Sequence, residues 1–542
     1  MCGSIRPTTD DTSKLTRRDH VAGAVLAVGG LVVVWAYAIS MFLPSAGMFH
    51  DDGLYAVTAR ALAEGQGYRI ISLPGSPLQT KYPILFPWLL SLIWRLAPAF
   101  PDNLPLLRIV PVASTFAWLW LSYRLLLRCG APRAAATTVL ALMAASPWVL
   151  FLGTSLLSET LFAALLTGSL LLLTRVSEGP PHVLRLCGIA GLLAGACFLT
   201  RTAGIAVIVA GFVWLSMNGR RVGAVIFAAA AASLVIPWAL WVLSHTGADA
   251  DSYYSASVYG SWNIVSHYGW REKLDVVTGN VLYSLSAPLS FWAIRGGVWL
   301  LVPAALLAAC VCRGIWLTRT HPLTWFAIVY AAMVMMWLWP PTRFFVPLIP
   351  LFMWHVIVAM RRVPVIPVAV VVAAVMFTSS AALLRSVTHA RTHGVLSTRA
   401  DYAEDWHRLS ALFDWIRRET PPDAVLTGNL DPTYFLYAGR QGIRAFAADP
   451  YALFYSPGDN AQAPLGSVSD FRRRLLGAGV DYCVWSPAQG FGESPHFRHL
   501  LDELSRDVPG SLTIATGDES AGYVVYHVDR AKLADAERHQ SS

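Results

Sequence analysis

The residues with the clearest chemical potential lie in the stretch 48–87, which opens Met48-Phe49-His50-Asp51-Asp52-Gly53-Leu54-Tyr55 and carries Thr80-Lys81-Tyr82-Pro83 near its end. Two adjacent carboxylates follow directly on a long apolar run. At a membrane edge such groups are costly unless they are solvated, paired or used. One use is structural: an acid ahead of the helix-like segment 53–64 accepts hydrogen bonds from free amides and complements the helix dipole. That role does not explain two acids side by side. The other use is as a general base that takes a proton from an acceptor hydroxyl. Asp51 and Asp52 are thus the candidate catalytic pair, with Asp51 the favoured base and Asp52 a cap, a metal ligand or a modifier of its neighbour's pKa. Burial beside Asp52 is expected to raise the pKa of Asp51.

Lys81 is a cation on the same side of the bilayer as the acids, in a segment stiffened by Tyr82-Pro83 and Phe86-Pro87. It suits either snorkelling from an interfacial helix or contact with an anionic substrate. Three arginines stand on the face where the charge bias of membrane proteins disfavours them. Arg108 opens the second spanning helix, Arg201 sits in Leu199-Thr200-Arg201-Thr202, and Arg343 in Pro340-Pro341-Thr342-Arg343-Phe344. Each alone fits an ion pair or a headgroup contact. Together with Lys81 they suggest a concave pocket for a phosphate, which the planar fork of arginine suits. Glu159, in Leu157-Ser158-Glu159-Thr160, is a partner for one of these arginines or a second site acid. His50, His245 and His267 are the histidines nearest that face; a metal held by His50 and Asp51 is not demanded by the spacing. The aromatic group Tyr253, Tyr254, Tyr259, Trp262, Tyr268 and Trp270 reads as an interfacial belt or a platform for sugar rings. Tyr55, Tyr82, Tyr259 and Trp262 are the platform candidates.

Long apolar elements must position these residues. The 542-residue chain is 55% hydrophobic and 14% charged, with a mean hydropathy of +0.50; a soluble protein carries about 25% charged residues. A spanning helix needs roughly 20 apolar residues. The candidates lie near 21–43, 108–127, 134–152, 159–175, 184–200, 203–218, 222–243, 296–316, 322–339, 344–360 and 363–384, about eleven by the length rule. Arg17-Arg18, Arg124, Arg128, Arg133, Arg175, Arg185, Arg220-Arg221, Arg313, Arg319 and Arg361-Arg362 mark every second junction, so that side is cytoplasmic. The scattered charge of +8 is a topology signal, not a nucleic-acid surface. The segment 83–98 is too short to span, is bounded by proline and contains Arg95, which predicts a helix lying along the membrane. The spacing also predicts a surface helix over 54–64. The seven cysteines form no CxxC pair, and the first apolar run, without a clear cleavage site, reads as a retained anchor.

The tail is polar. It alternates predicted helices at 406–419, 471–476 and 496–506 with strands at 424–427, 481–485, 511–515 and 523–528, the pattern of a small α/β domain. The expected organisation is a cytoplasmic N-terminus over 1–20, a transmembrane domain over 21–389 with outer loops 44–107 and 244–295, and an extracytoplasmic α/β domain over 390–542.

Several motifs share one order and one side. Asp51-Asp52-Gly53-Leu54-Tyr55 with Ala59-Arg60-Ala61-Leu62-Ala63-Glu64-Gly65 resembles the first outer loop of the GT-C membrane glycosyltransferases. Within them it is similar to the group of protein O-mannosyltransferases, aminoarabinose transferases and core galacturonosyltransferases. Lys81-Tyr82-Pro83, Leu107-Arg108-Ile109-Val110-Pro111, Ser158-Glu159 and Arg343-Phe344-Phe345-Val346-Pro347 resemble their lysine, arginine and second acidic motifs. Trp415-Ile416-Arg417, Pro421-Pro422-Asp423 and Gly479-Val480-Asp481-Tyr482 resemble the outer domain of bacterial members. The resemblance implies a polytopic α-helical membrane protein with a C-terminal α/β domain. It implies an inverting transfer of a sugar, hexosyl or pentosyl, from a polyprenyl-phosphate donor to a glycan, lipid or protein acceptor on the outer face of the cytoplasmic membrane. Asp51 would be the base, while Lys81, Arg108, Arg201 and Arg343 would hold the phosphate. This chain has Asp51-Asp52 where most relatives have Asp-Glu, and Ile84 where some carry a metal-binding acid; no cofactor is required, and a divalent metal has no support in the spacing. A transporter or flippase of an anionic substrate, and a polymerase or ligase of lipid-linked glycans, are the competing readings; a sensor built on the tail is a third. Fold analogy does not supply the sugar.

Overall fold

The structure, a computed structural model, describes residues 17–245, 254, 268–294, 298–397, 405–445, 450–456, 467–487, 494–518 and 520–541. Among these, six helices are long and apolar enough to cross a membrane, or seven if one bent pair counts as a single span. In chain order the helices begin with α1 (Arg17–Met41), α2 (Asp51–Ala63), α3 (Leu85–Leu96) and α4 (Leu104–Arg128). The bent pair α5 (Arg133–Ala144) and α6 (Pro147–Thr154) follows, then α7 (Glu159–Ser177), α8 (Val183–Thr200), α9 (Ile205–Met217) and α10 (Arg221–His245). Next come α11 (Trp270–Ser290), α12 (Leu301–Leu317), α13 (Pro322–Met335), α14 (Thr342–Ala359) and α15 (Val365–His393). The six long spans are α4, α7, α8, α10, α14 and most of α15; the rest of the apolar helices are shorter.

The apolar run 134–152 does not form one straight helix. Pro147 lacks the amide that would continue the ladder, and Ser146 turns its hydroxyl to accept from the Val149 amide at 3.4 Å, so α6 restarts at an angle of 63°. The interior packs at backbone distance where glycine allows it. A Cβ on Gly191 of α8 would stand 2.2 Å from the Phe227 carbonyl of α10, the close approach that small residues permit between membrane helices. At the end of the bundle away from the acids, Arg128 pairs with Glu178, and Arg220 donates to the Val176 and Ser177 carbonyls.

The loop between α1 and α4 holds two helices against each other. Here α2 begins at Asp51, three residues earlier than its apolar spacing predicts, so both acids lie in its first turn. The proline-bounded segment forms α3, tied to α2 by Arg95 donating to the Leu62 carbonyl at 3.1 Å.

The tail contains α16 (Trp406–Glu419), β1 (Val425–Thr427), α17 (Asp431–Ala438), β2 (Gln441–Ile443) and α18 (Pro450–Phe454). It continues with α19 (Val468–Gly477), β3 (Tyr482–Trp485), α20 (Ser494–Asp507), β4 (Leu512–Asp518), β5 (Tyr523–Val528) and α21 (Arg530–Ser541). The strands form one sheet in the order β2-β1-β3-β5-β4. Strands β2, β1 and β3 run parallel, and β5 is antiparallel to both of its neighbours. Edge strand β2 is covered by the first loop: the Gly442 amide donates to the Ser72 carbonyl at 2.9 Å, and the Gln441 side chain donates to Ile71 and Leu73. Tyr437 of α17 receives the Ala46 amide at 2.8 Å. The tail therefore sits on the segment that carries the acids.

Candidate active site

The chain reaches Asp51 through a tight turn. The Asp51 amide donates to the Phe49 carbonyl at 2.9 Å across His50, whose φ is 66° and ψ −55°. This is a γ-turn of the rare, strained positive-φ form. Asp52 braces it from within, with one carboxylate oxygen accepting the Gly47 amide at 2.7 Å and the other the Phe49 amide at 3.0 Å. Asp52 thus caps the turn before the helix. Burial pushes its carboxyl up to about 6, against those backbone donors and with a further upward push from Asp51. Burial also pushes Asp51 upward, but the Arg343 guanidinium, the Lys81 ammonium and hydrogen bonds from Tyr82 and Arg343 outweigh it and hold Asp51 well below the usual carboxylate range. This reverses the expectation that Asp51 would be the raised member of the pair: the cations converge on Asp51, whereas Asp52 faces backbone.

Asp51 accepts the Tyr82 hydroxyl at 2.6 Å on one oxygen and Arg343 Nη2 at 2.5 Å on the other. The lysine segment is set by the buried Gln79, whose side-chain oxygen accepts the amides of Lys81 at 2.8 Å and Tyr82 at 3.3 Å. The Gln79 carbonyl in turn receives the indole of Trp241 in α10 at 3.0 Å. Tyr55 bonds Ser158 at 3.0 Å, and Arg201 Nη1 reaches the same hydroxyl at 3.2 Å. Glu159, 1% exposed, pairs with Arg201 at 2.8 Å and lies 3.6 Å from Arg343. These are charge contacts whose angles are not those of hydrogen bonds, since neither Glu159 oxygen has a hydrogen-bond donor among the described residues. The Arg343 guanidinium stacks over Phe49 at 4.8 Å and Phe344 at 5.2 Å. So buried Asp51, Lys81, Tyr82 and Glu159 form one charged cluster with the partly buried Arg201 and Arg343.

A cavity of about 390 Å³ opens beside it. Polar Lys81, Tyr82, Tyr55 and Arg201 share its wall with apolar Ile205, Met333, Val334, Met336, Trp337 and Phe344. The apolar wall ends where α13 stops, and Asn280 fixes it by donating to the carbonyls of Val334, Met335 and Trp337. Asp51 stands behind the polar wall, one hydrogen bond away through Tyr82.

Arg108, expected with the phosphate contacts, is placed elsewhere. Its Nη1 donates to the carbonyls of Met41 at 2.9 Å and Leu43 at 2.5 Å, and its Nη2 to Ser45 at 2.5 Å. It ties the end of α1 to the first loop, because carbonyls left over where a helix stops need donors. Tyr55 and Tyr82 line the cavity, while Tyr259, Trp262 and His267 lie outside the described residues. The residues missed from the sequence are Gln79 and Asp431, and Ser158 stands there only as the motif neighbour of Glu159. Asp431, fully buried in the tail, accepts His50 Nε2 at 2.9 Å on one oxygen and the Tyr254 hydroxyl at 2.7 Å on the other. Among the described residues no three metal-ligating side chains gather. Asp51 and Glu159 both face guanidinium groups.

No protein-family model matches the sequence, and no curated protein does. The fold is the GT-C fold that the sequence motifs lead one to expect. The chain is similar to ArnT from Cupriavidus metallidurans bound to undecaprenyl phosphate, at 15% identity and TM-score 0.56, over 94% of this chain and 99% of that one. It is also similar to the oligosaccharyltransferase AglB from Archaeoglobus fulgidus in complex with an inhibitory peptide and a dolichol-phosphate. That likeness is at 14% identity and TM-score 0.52, over 93% of this chain and 74% of that one. At these identities the likeness is one of fold.

Proposed function

We propose that the protein is an inverting glycosyltransferase that moves a sugar from a polyprenyl-phosphate donor to an acceptor hydroxyl at the outer face of a cytoplasmic membrane. The observation that carries this reading is the mixed cavity: Lys81 and Arg201 stand in a wall that is otherwise largely apolar. An isoprenoid phosphate has the same mixed character, and both similar structures named above hold such a lipid.

The acceptor oxygen attacks the anomeric carbon from the face opposite the phosphate. The bond from that carbon to the phosphate oxygen breaks, and its electron pair leaves on the lipid phosphate. The acceptor proton passes to Asp51. The leaving group is already an anion of low basicity, so it needs cations rather than a general acid, and Lys81 with the arginines stabilises its growing charge. Asp51 is a weak base while Arg343 and Lys81 hold it. A donor phosphate competes for those same cations, which loosens the Asp51–Arg343 pair and raises the basicity of Asp51 at the moment the donor is in place. Glu159 keeps Arg201 and Arg343 aligned.

Four of the shorter apolar helices, those of α1, α9, α12 and α13, span together with the seven longer units, giving eleven crossings, while α3 lies along the surface. The arginine-rich end, with Arg128 and Arg220, is cytoplasmic. The tail is an extracytoplasmic α/β domain. Undecaprenyl phosphate binding to the purified protein, followed by native mass spectrometry, tests the reading. Retention by wild type and loss in Lys81→Ala/Arg201→Ala are expected; equal binding by both would refute the phosphate site. Uptake of an anionic substrate into proteoliposomes without sugar transfer would favour a transporter instead.

A further inference from the structure

The turn that presents Asp51 is strained, and it lacks the residue that would make it easy. Glycine adopts φ of 66° freely, whereas a non-glycine residue in a sparsely populated region costs about 1–3 kcal/mol and persists only when its surroundings over-determine it. Position 50 is a buried histidine. Its imidazole is fixed by Asp431, a residue 381 positions away at the first turn of α17. The carboxylate is itself fully buried, and its second oxygen is occupied by the Tyr254 hydroxyl. The backbone around this contact is also close: a Cβ on Gly53 would stand 2.8 Å from Pro432 Cβ, and one on Gly47 would stand 2.7 Å from Thr433 Cγ2. The start of α17 is therefore seated on both flanks of the turn, and its one carboxylate reaches the strained residue.

We infer that Asp431, carried by the tail, is a positioning residue that holds His50 in its γ-turn and thereby aims the Asp51 carboxylate at the acceptor. This rests on the reading of Asp51 as the base. Asp431 touches no reacting atom; it acts through the backbone of residue 50. Without the anchor, His50 relaxes to negative φ, and the carboxylate one residue on is redirected. The tail is then a part of the catalytic apparatus, supplying a restraint on residue 50 from outside the membrane helices.

The test is a double-mutant cycle on sugar transfer by the full-length protein in proteoliposomes, given a polyprenyl-phosphate sugar and acceptor membranes. Asp431→Ala is expected to lower kcat by about 10- to 100-fold, the cost of a small misplacement of a catalytic group, with the donor KM little changed. His50→Gly removes the strain and is expected to lose less. In the double variant the loss should equal that of His50→Gly alone, because a glycine turn has no need of the anchor. Wild-type kcat in Asp431→Ala, or losses that multiply in the double variant, would overturn the inference. If Asp431→Ala does not accumulate, Asp431→Asn, which preserves volume, replaces it in the same cycle with the same criteria. Asp51→Asn, assayed alongside, separates the two claims: activity there refutes the base, whereas an inactive Asp51→Asn with multiplying losses at 50 and 431 refutes only the anchor.

Discussion

Burial acts on Asp51 and Asp52 alike, and their partners separate them. Asp51 meets Arg343, Lys81 and Tyr82, and Asp52 meets the amides of Gly47 and Phe49. The pH consequences have opposite signs. Asp52, raised to about 6, binds its proton more tightly in the folded chain than in the unfolded one. Its contribution to stability is present at low pH and is lost as pH rises through 6. Thermal unfolding of wild type and Asp52→Asn across pH 4–7, a window about the two pKa values, should show wild type losing ground to the variant as pH rises, with no further change above it. Asp51 is depressed, so its contribution is present above the ordinary carboxylate range and is lost as pH falls below it. Glu159 provides a second check. Removing one partner of a buried charge cluster costs about 3–5 kcal/mol, because the remaining charges stay buried without it. Glu159→Ala is therefore expected to lower the unfolding temperature markedly, with Glu159→Gln between it and wild type; an unchanged midpoint would show that Arg201 and Arg343 do not depend on it.

At the scale of elements, the seat of α17 on α2 matters more than either helix alone. Gly53→Val would put a branched side chain into the space of Pro432. Transfer activity should fall at least tenfold while Gly65→Ala, where a Cβ meets nothing within 4 Å but φ is positive, costs about 1–2 kcal/mol of stability and little activity. The sequence made some of this legible. Asp51, Lys81, Arg201, Arg343 and Glu159 stand out because each is a charge beside an apolar run, and all five meet in one cluster. Arg108 stands out by the same rule and goes elsewhere, because position relative to a bilayer does not say which polar group a guanidinium will find. Asp431 could not be read at all: Leu430-Asp431-Pro432 looks like an ordinary turn, and its partner lies in another part of the chain. The α16 helix is legible to the residue, having a strong apolar face, an Asp405 cap and prolines after it, while β2 is three residues long and paired partly with a loop, too short for alternation to register.

At the scale of the molecule, one end of the bundle carries arginines matched to carbonyls and Glu178, and the other carries the cavity, the acids and the tail. Single cysteines placed at the exposed positions Glu178 and Arg473, in a chain without its native cysteines, should react with an impermeant maleimide from opposite sides of the membrane, Arg473 from outside; labelling from one side would overturn the orientation. The central claim is that Asp51 takes the acceptor proton while Lys81 and the arginines hold the lipid phosphate. It is tested most directly by the rate at which purified protein in proteoliposomes releases polyprenyl phosphate from a polyprenyl-phosphate sugar in the presence of acceptor membranes, wild type against Asp51→Asn. A loss of about 100-fold or more in Asp51→Asn is expected, as for the removal of a general base, with donor lipid still bound. Release at the wild-type rate by Asp51→Asn would contradict it.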